Sequence, residues 1–131
     1  MEMKRGRLFD HLHLKVKDLE KSRKFYASIL DVLGIELIAD EHHLNADELW
    51  IDVGEQPSRV HFAFQAKDPD MVRRWYEAGI KAGGRDNGPP GERKYHPGYY
   101  AAFLLDPDGH NVEAVFHGPA KRSAEAVVIS F

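Results

Sequence analysis

Along the chain the apolar positions change period in the same order twice. Residues 9–16 alternate, with Leu12, Leu14 and Val16 on one side and His11, His13 and Lys15 on the other, which is the pattern of a half-buried strand. From Asp18, a good N-cap, Leu19, Tyr26, Ile29, Leu30 and Leu33 fall on one helical stripe that Gly34 closes. Short strands are predicted next at 36–39, 43–46 and 49–53. Alternation returns at 60–66, with Phe62, Phe64 and Ala66 opposite His61, Ala63 and Gln65. Asp68 and Pro69 then open a second helix carrying Val72, Trp75, Tyr76 and Gly79 on one stripe and closing at Gly83-Gly84. A Gly/Pro-rich loop is expected over 86–98, followed by strands at 99–105 and 111–117 joined by the turn Asp106-Pro107-Asp108-Gly109.

The recurrence is visible residue by residue. A shift of 50 positions lays His11 on His61, Lys17 on Lys67, Asp18 on Asp68, Arg23 on Arg73, Tyr26 on Tyr76 and Gly34 on Gly84. Two copies of one strand–helix–strands unit therefore build the chain. The expected fold class is α+β: one domain with a first module over 8–54 and a second over 58–118, while residues 119–131 form a tail that the pattern does not place. The chain's 131 residues suit one domain of ordinary size. Eighteen Lys plus Arg against 21 Asp plus Glu give a net charge of −3, which offers no footprint for nucleic acid or an anionic membrane. No cysteine is present, so disulfides, thiolate metal sites and Cys nucleophiles are excluded, and any metal must be held by His and carboxylate. With no apolar run of spanning length and no apolar signal core after the basic N-terminus, a cytoplasmic location is expected.

Strand alternation also says where chemistry can gather. Once the two helices cover the apolar strand faces, the faces bearing His11, His13 and His61 look into a shared concavity or into solvent. Glu113 interrupts an otherwise apolar strand. His11, His61 and Glu113 converging there would form a 2-His-1-carboxylate site with open positions for substrate. Two neutral imidazoles and one carboxylate leave a divalent ion with a net positive charge, enough to polarise a substrate oxygen or acidify a bound water. Asp52 is a candidate fourth ligand or general base, and Trp50 a candidate pocket wall.

The same residues carry a family resemblance. Asp10-His11-Leu12, Asp18-Leu19-Glu20 and Phe25-Tyr26, the repeat from His61, and the run from Tyr99 through Asp106-Pro107-Asp108-Gly109 to Glu113 resemble the vicinal oxygen chelate superfamily. That group includes glyoxalase I, fosfomycin-resistance transferases, bleomycin-resistance proteins and extradiol dioxygenases. The resemblance covers about residues 8–117. It implies paired βαβββ modules whose curled sheets enclose a metal, with His11, His61 and Glu113 as its ligands, a small-molecule substrate and a homodimer, without nucleic-acid or membrane partners. Glyoxalases take a fourth ligand from the last strand of the first module; no Glu stands there, and only Asp52 lies near.

Other side chains are assigned around this centre. His13 shares a face with His11, but its repeat partner is Ala63, so a pocket role suits it better than ligation. Arg93, Tyr95 and His96 belong to a loop with Arg85 and Lys94 that can act as a basic lid over an anionic substrate. Tyr99 and Tyr100 must point to opposite sides of their strand, and Tyr100 is assigned to the substrate side. His117 lies on the face of Glu113 and is a further substrate-binding candidate. His42, His43 and His110 are expected in turns with no role beyond solvation. The function expected is a metal-dependent lyase, isomerase or transferase acting on a small oxygenated substrate, with Zn, Ni, Mn or Fe equally compatible with the donors. The alternatives are a metal-free ligand-binding protein of the bleomycin-resistance type and a small extradiol-type dioxygenase.

Overall fold

The computed structural model of the chain describes residues 2–5, 9–119 and 127–130. Its elements are β1 (Glu2–Arg5), β2 (Leu12–Val16), α1 (Leu19–Val32), β3 (Ile38–Ala39), β4 (His43–Ala46) and β5 (Leu49–Val53). They continue with β6 (His61–Gln65), α2 (Pro69–Lys81), β7 (Arg85–Glu92), β8 (Tyr100–Leu105), β9 (Asn111–Phe116) and β10 (Val127–Ser130). Two four-stranded sheets have matching orders, β2-β5-β4-β3 and β6-β9-β8-β7, while β1 and β10 pair antiparallel as a separate ribbon. In each sheet the first strand runs parallel to the last strand of its own half, and the remaining pairs are antiparallel. This is the duplicated strand–helix–strands plan that the periodicity predicts, and the two sheets remain separate.

Both helices start as their sequences dictate. The Asp18 carboxylate accepts from the Lys21 amide at 3.0 Å and the Asp68 carboxylate from the Met71 amide at 2.7 Å, satisfying amides that have no helical partner. Phe25, Tyr26, Ile29 and Leu30 of α1, and Met71, Val72 and Trp75 of α2, are buried in one cluster with Leu14, Val16, Ile51, Leu104, Val112 and Ala114 from both sheets. The helix-facing sides of the two sheets therefore share a single core. Gly79 makes that arrangement possible. A Cβ there would lie 2.2 Å from Leu104 Cδ1 and 3.1 Å from Ile29 Cγ2, so any larger residue would force the buried Leu104 side chain to shift before α2 could settle onto β8 and against α1.

Two expectations about elements change. Residues 86–98 are not one long loop, because 85–92 form β7, paired with β8 through register shifts at Gly88 and Gly91. Pro89 and Pro90 are tolerated because β7 is an edge strand, where a missing N–H need not break a ladder. The tail, for its part, contributes β10, whose partner β1 lies at the opposite end of the chain, a long-range pairing that local pattern could not reveal.

Candidate functional site

The parallel pairs place equivalent positions of the two halves in comparable surroundings. In the second sheet Ala63 on β6 stands opposite Glu113 on β9; in the first, the equivalent His13 on β2 stands opposite Trp50 on β5. Trp50 thus stands in the first half where Glu113 stands in the second, and the carboxylate carried by β5, Asp52, is two residues further along the strand, about 7 Å away at an ordinary strand rise. Asp52 also has other partners: His13 Nε2 and Lys15 Nζ both lie 2.8 Å from its Oδ1. Hydrogen bonds from Lys15 and His13 lower its pKa to about 2, which leaves it a poor proton acceptor near neutrality.

Glu113 is the chemical centre of the second sheet. Its side chain is 4% exposed, and Oε1 lies 3.0 Å from Nε2 of His61, which is 54% exposed. The Tyr99 hydroxyl donates to Oε2. An ionised carboxylate only accepts, so His61 presents its Nε2–H to Oε1, and the Tyr99 bond holds the carboxylate plane in place. Tyr99 is itself perturbed: partial burial, then the hydrogen bond to Glu113 and its charge, push the phenol pKa well upward, so it stays a donor.

Imidazole nitrogen and carboxylate oxygen are both donor types that hold divalent ions, and this hydrogen-bonded pair brings one of each together. The Tyr99 bond to the distal oxygen is the kind of outer support that orients a ligating carboxylate. His11 is not gathered with them. Its Nδ1 bonds Asp10 at 2.8 Å, and it lines a hollow of about 320 Å³ with Asp10, Asp47, Glu48, Leu49 and Trp50.

The remaining sequence candidates divide between the two sheets. Trp50 stacks on His43, with centroids 4.0 Å apart and planes 11° apart, so His43 lies on strand β4 against an indole rather than in a solvated turn. Arg93 is not a free lid residue: it donates to the Pro89 carbonyl at 2.7 Å and covers Phe103 at 5.3 Å. Tyr95 is largely exposed and meets the Tyr99 ring edge-on at 4.9 Å. His96 Nε2 lies 2.9 Å from His117 Nδ1. Tyr100 points away from Glu113, accepting from Arg73 of α2 at 3.2 Å, so Tyr99 takes the place that Tyr100 was expected to fill. Parity decides this: residue 99 shares its side of the strand with Ala101 and Phe103, and Phe103 stands opposite Glu113. A parity count from Glu113 would have found it in the sequence, had the β8–β9 register been known.

His110 corrects another expectation, since it is 2% exposed. Its Nδ1 lies 2.7 Å from Asp106 Oδ2, which also accepts from the Tyr26 hydroxyl at 2.6 Å. Asp106 Oδ1 accepts the amides of Asp108 and His110, each at 2.9 Å, and the Asp108 carboxylate accepts the Lys17 amide at 3.0 Å. Among the described residues, Asp106, Asp108 and His110 are the one group of three His, Asp or Glu with donor atoms all within 4.8 Å, a composition that could hold a cation. Asp106, however, already accepts four hydrogen bonds, the capacity of a carboxylate, and an ion would have to displace them. The cluster is better read as a lock tying the β8–β9 turn to α1 and the end of β2. Burial opposes charge on both partners. The mutual hydrogen bond, with that from Tyr26 to Asp106, outweighs it, leaving Asp106 below and His110 above their ordinary values.

Comparison with known proteins agrees with this architecture. The family model described as Glyoxalase/Bleomycin resistance protein/Dioxygenase superfamily matches residues 8–114, and the chain belongs to that superfamily. Its fold is similar to that of a glyoxalase/bleomycin resistance protein from Albidiferax ferrireducens T118, at 30% identity and a TM-score of 0.70 over 82% of this chain and 97% of that one. A glyoxalase-related enzyme from Fulvimarina pelagi superposes with a TM-score of 0.66 at 19% identity, covering 88% of this chain and 94% of that one. The fosfomycin resistance protein FosX from Mesorhizobium loti gives 0.60 at 23% identity, with 80% and 87% covered. The latter two likenesses concern the fold alone.

Proposed function

We propose that the protein is a divalent-metal-dependent enzyme of this superfamily, of lyase, isomerase or transferase type, acting on a small oxygenated substrate. The observation that carries the reading is the His61–Glu113 pair, with an exposed imidazole and a buried carboxylate in hydrogen-bond contact and Tyr99 fixing the distal oxygen. A bound divalent ion would supply Lewis acidity toward a substrate oxygen. The chain's own residues do the rest. Glu113 holds the site's negative charge out of water, Tyr99 keeps that carboxylate from rotating, and His61 would offer Nε2 as the Nδ1–H tautomer, its hydrogen moving from one ring nitrogen to the other through solvent. His11 is the third donor in this reading; since it is not gathered with His61 and Glu113 within the chain, it would come from the second copy of a homodimer.

Metal analysis of the purified protein, with calorimetric titration of Zn, Ni, Mn and Fe(II), tests the reading. One ion per chain at this site, lost in His61→Ala and in Glu113→Ala, is the expected result. Unchanged uptake in both variants would refute it, and ligand binding by metal-free protein would favour the bleomycin-resistance type of function.

A further inference from the structure

We propose that Arg93 is the anion-binding residue of the His61–Glu113 site, so that the substrate is a small molecule with an oxyanion head, carboxylate or phosphonate, at the end away from its metal-chelating oxygens. The position of those oxygens rests on the metal-dependent reading above; the anion site itself does not. One row of side chains crosses the second sheet on a single face. His61 of β6 meets Glu113 of β9, Phe103 of β8 stands opposite Glu113, and the guanidinium of Arg93, just past the end of β7, covers the Phe103 ring. The His61 ring lies 6.1 Å from the Phe103 centroid, and the Arg93 guanidinium carbon 5.3 Å from it. A phenyl floor thus separates imidazole and carboxylate from a cation, over a span that a molecule of a few carbon atoms bridges.

The guanidinium is held in place from several sides. The Arg93 amide donates to the Tyr99 carbonyl at 2.9 Å, which closes the β7–β8 connection at its root. Nη2 donates to the Pro89 carbonyl at 2.7 Å and Nη1 to the Glu92 carbonyl at 3.3 Å. Two glycines at the register shifts of β7 leave room for it: a Cβ on Gly88 would stand 3.4 Å from Nη2, and one on Gly91 would stand 3.2 Å from Nη1. What the group lacks is a counter-charge. Arg23 pairs with Glu20, and Arg73 and Arg74 pair with Asp70, whereas no carboxylate among the described residues makes an ion pair with Arg93. It is nevertheless half-buried. A cation partly withdrawn from water and left unpaired carries a cost that an arriving anion removes. The two carbonyls engage only two of its five N–H groups, so others can fork onto two oxygens of one oxyanion. Its charge is also felt at the site: burial and Glu113 push the Tyr99 phenol upward, and Arg93 pulls against them. A neutral amide would serve the two carbonyls as well; only an anionic ligand uses the charge.

Titration of the full, metal-free chain with benzoate and with phenylphosphonate, followed by NMR, tests the proposal, with benzyl alcohol as the uncharged control. At least one of the anions should bind wild type about tenfold or more tightly than Arg93→Gln, the loss expected for a charge-assisted hydrogen bond, and the anion with the larger ratio names the head group. Benzyl alcohol should bind both proteins alike. Zn²⁺ uptake should be equal in the two, because the substitution leaves His61 and Glu113 intact. The two readings therefore fail separately. A chain that takes up no Zn²⁺ yet binds an anion through Arg93 overturns the metal centre and keeps the anion site. A chain that takes up Zn²⁺ but binds both anions equally with and without Arg93 overturns the substrate class and keeps the metal centre. Should Arg93→Gln melt early, wild type decides: the Arg93 Nε–H resonance must shift as one of the anions saturates, and a resonance that neither anion moves overturns the proposal.

Discussion

The two halves of the chain share strand order, parallel pairing and Asp-capped helices, yet they present different chemistry at matching points. Opposite Ala63 stands a buried carboxylate that meets an imidazole; opposite His13 stands an indole stacked on an imidazole. The turns differ as well. The β4–β5 hairpin turns through Asp47 in a left-handed conformation, whereas the β8–β9 turn is nailed to α1 and β2 through Asp106 and Asp108. Duplication preserves the backbone because its hydrogen-bond register tolerates many side chains, while function depends on single positions.

The largest expected effect is on the lock, which has no counterpart in the first half. Asp106→Ala removes four hydrogen bonds and leaves the buried His110 Nδ1 without a partner, and should cost about 3–5 kcal/mol in urea unfolding. The same pair sets a pH dependence. The raised His110 contributes stability fully below 6.5 that is lost as pH rises through its folded value; the lowered Asp106 contributes above 3.8 and loses it as pH falls. The melting temperature of wild type relative to His110→Gln should therefore be highest between those values and converge on either side.

Carboxylate replacement should separate the two faces next. Glu113→Ala is expected to reduce metal affinity by a hundredfold or more, and Asp52→Ala to leave it unchanged; equal losses would show that both carboxylates reach one ion. Tyr99→Phe should weaken the same metal by about tenfold to a hundredfold, the usual cost of losing an outer partner, with little change in melting temperature. Tyr100→Phe should not. Gly79→Ala sharpens the packing side of the comparison: in an open helix it would gain up to about 1 kcal/mol, but here overpacking against Leu104 and Ile29 should make it destabilising by about 1–3 kcal/mol. Smallest and most symmetrical are the caps, where Asp18→Ala and Asp68→Ala should each cost about 1 kcal/mol by thermal unfolding.

Much of the fold was legible because its signals are local. Alternation at Leu12–Val16 and His61–Gln65, capping at Asp18 and Asp68, and the stripes of α1 and α2 each need only neighbours within a few residues. Alternation plus the repeat singled out His61 and Glu113 as donors on one side of their sheet, together with His11, which the structure leaves apart. What was misread depended on distant partners: β7 is a strand because β8 accepts its bulged, proline-bearing edge, and Tyr99 rather than Tyr100 faces Glu113 because β9 sets the parity. His110 sits in a turn that looks solvated until Tyr26, 84 residues earlier in the chain, caps its Asp106 partner.

The amino-acid sequence by itself determined the duplicated α+β plan, the apolar faces and the supply of imidazole and carboxylate donors, since these follow from the period of apolar residues and from side-chain type. Only the tertiary structure decided which donors meet: His61 with Glu113, His96 with His117, and His13 with Asp52 rather than with either. Contacts of a few ångströms between residues 21 to 52 positions apart depend on strand register and on glycines that let backbones touch, and no local pattern records those.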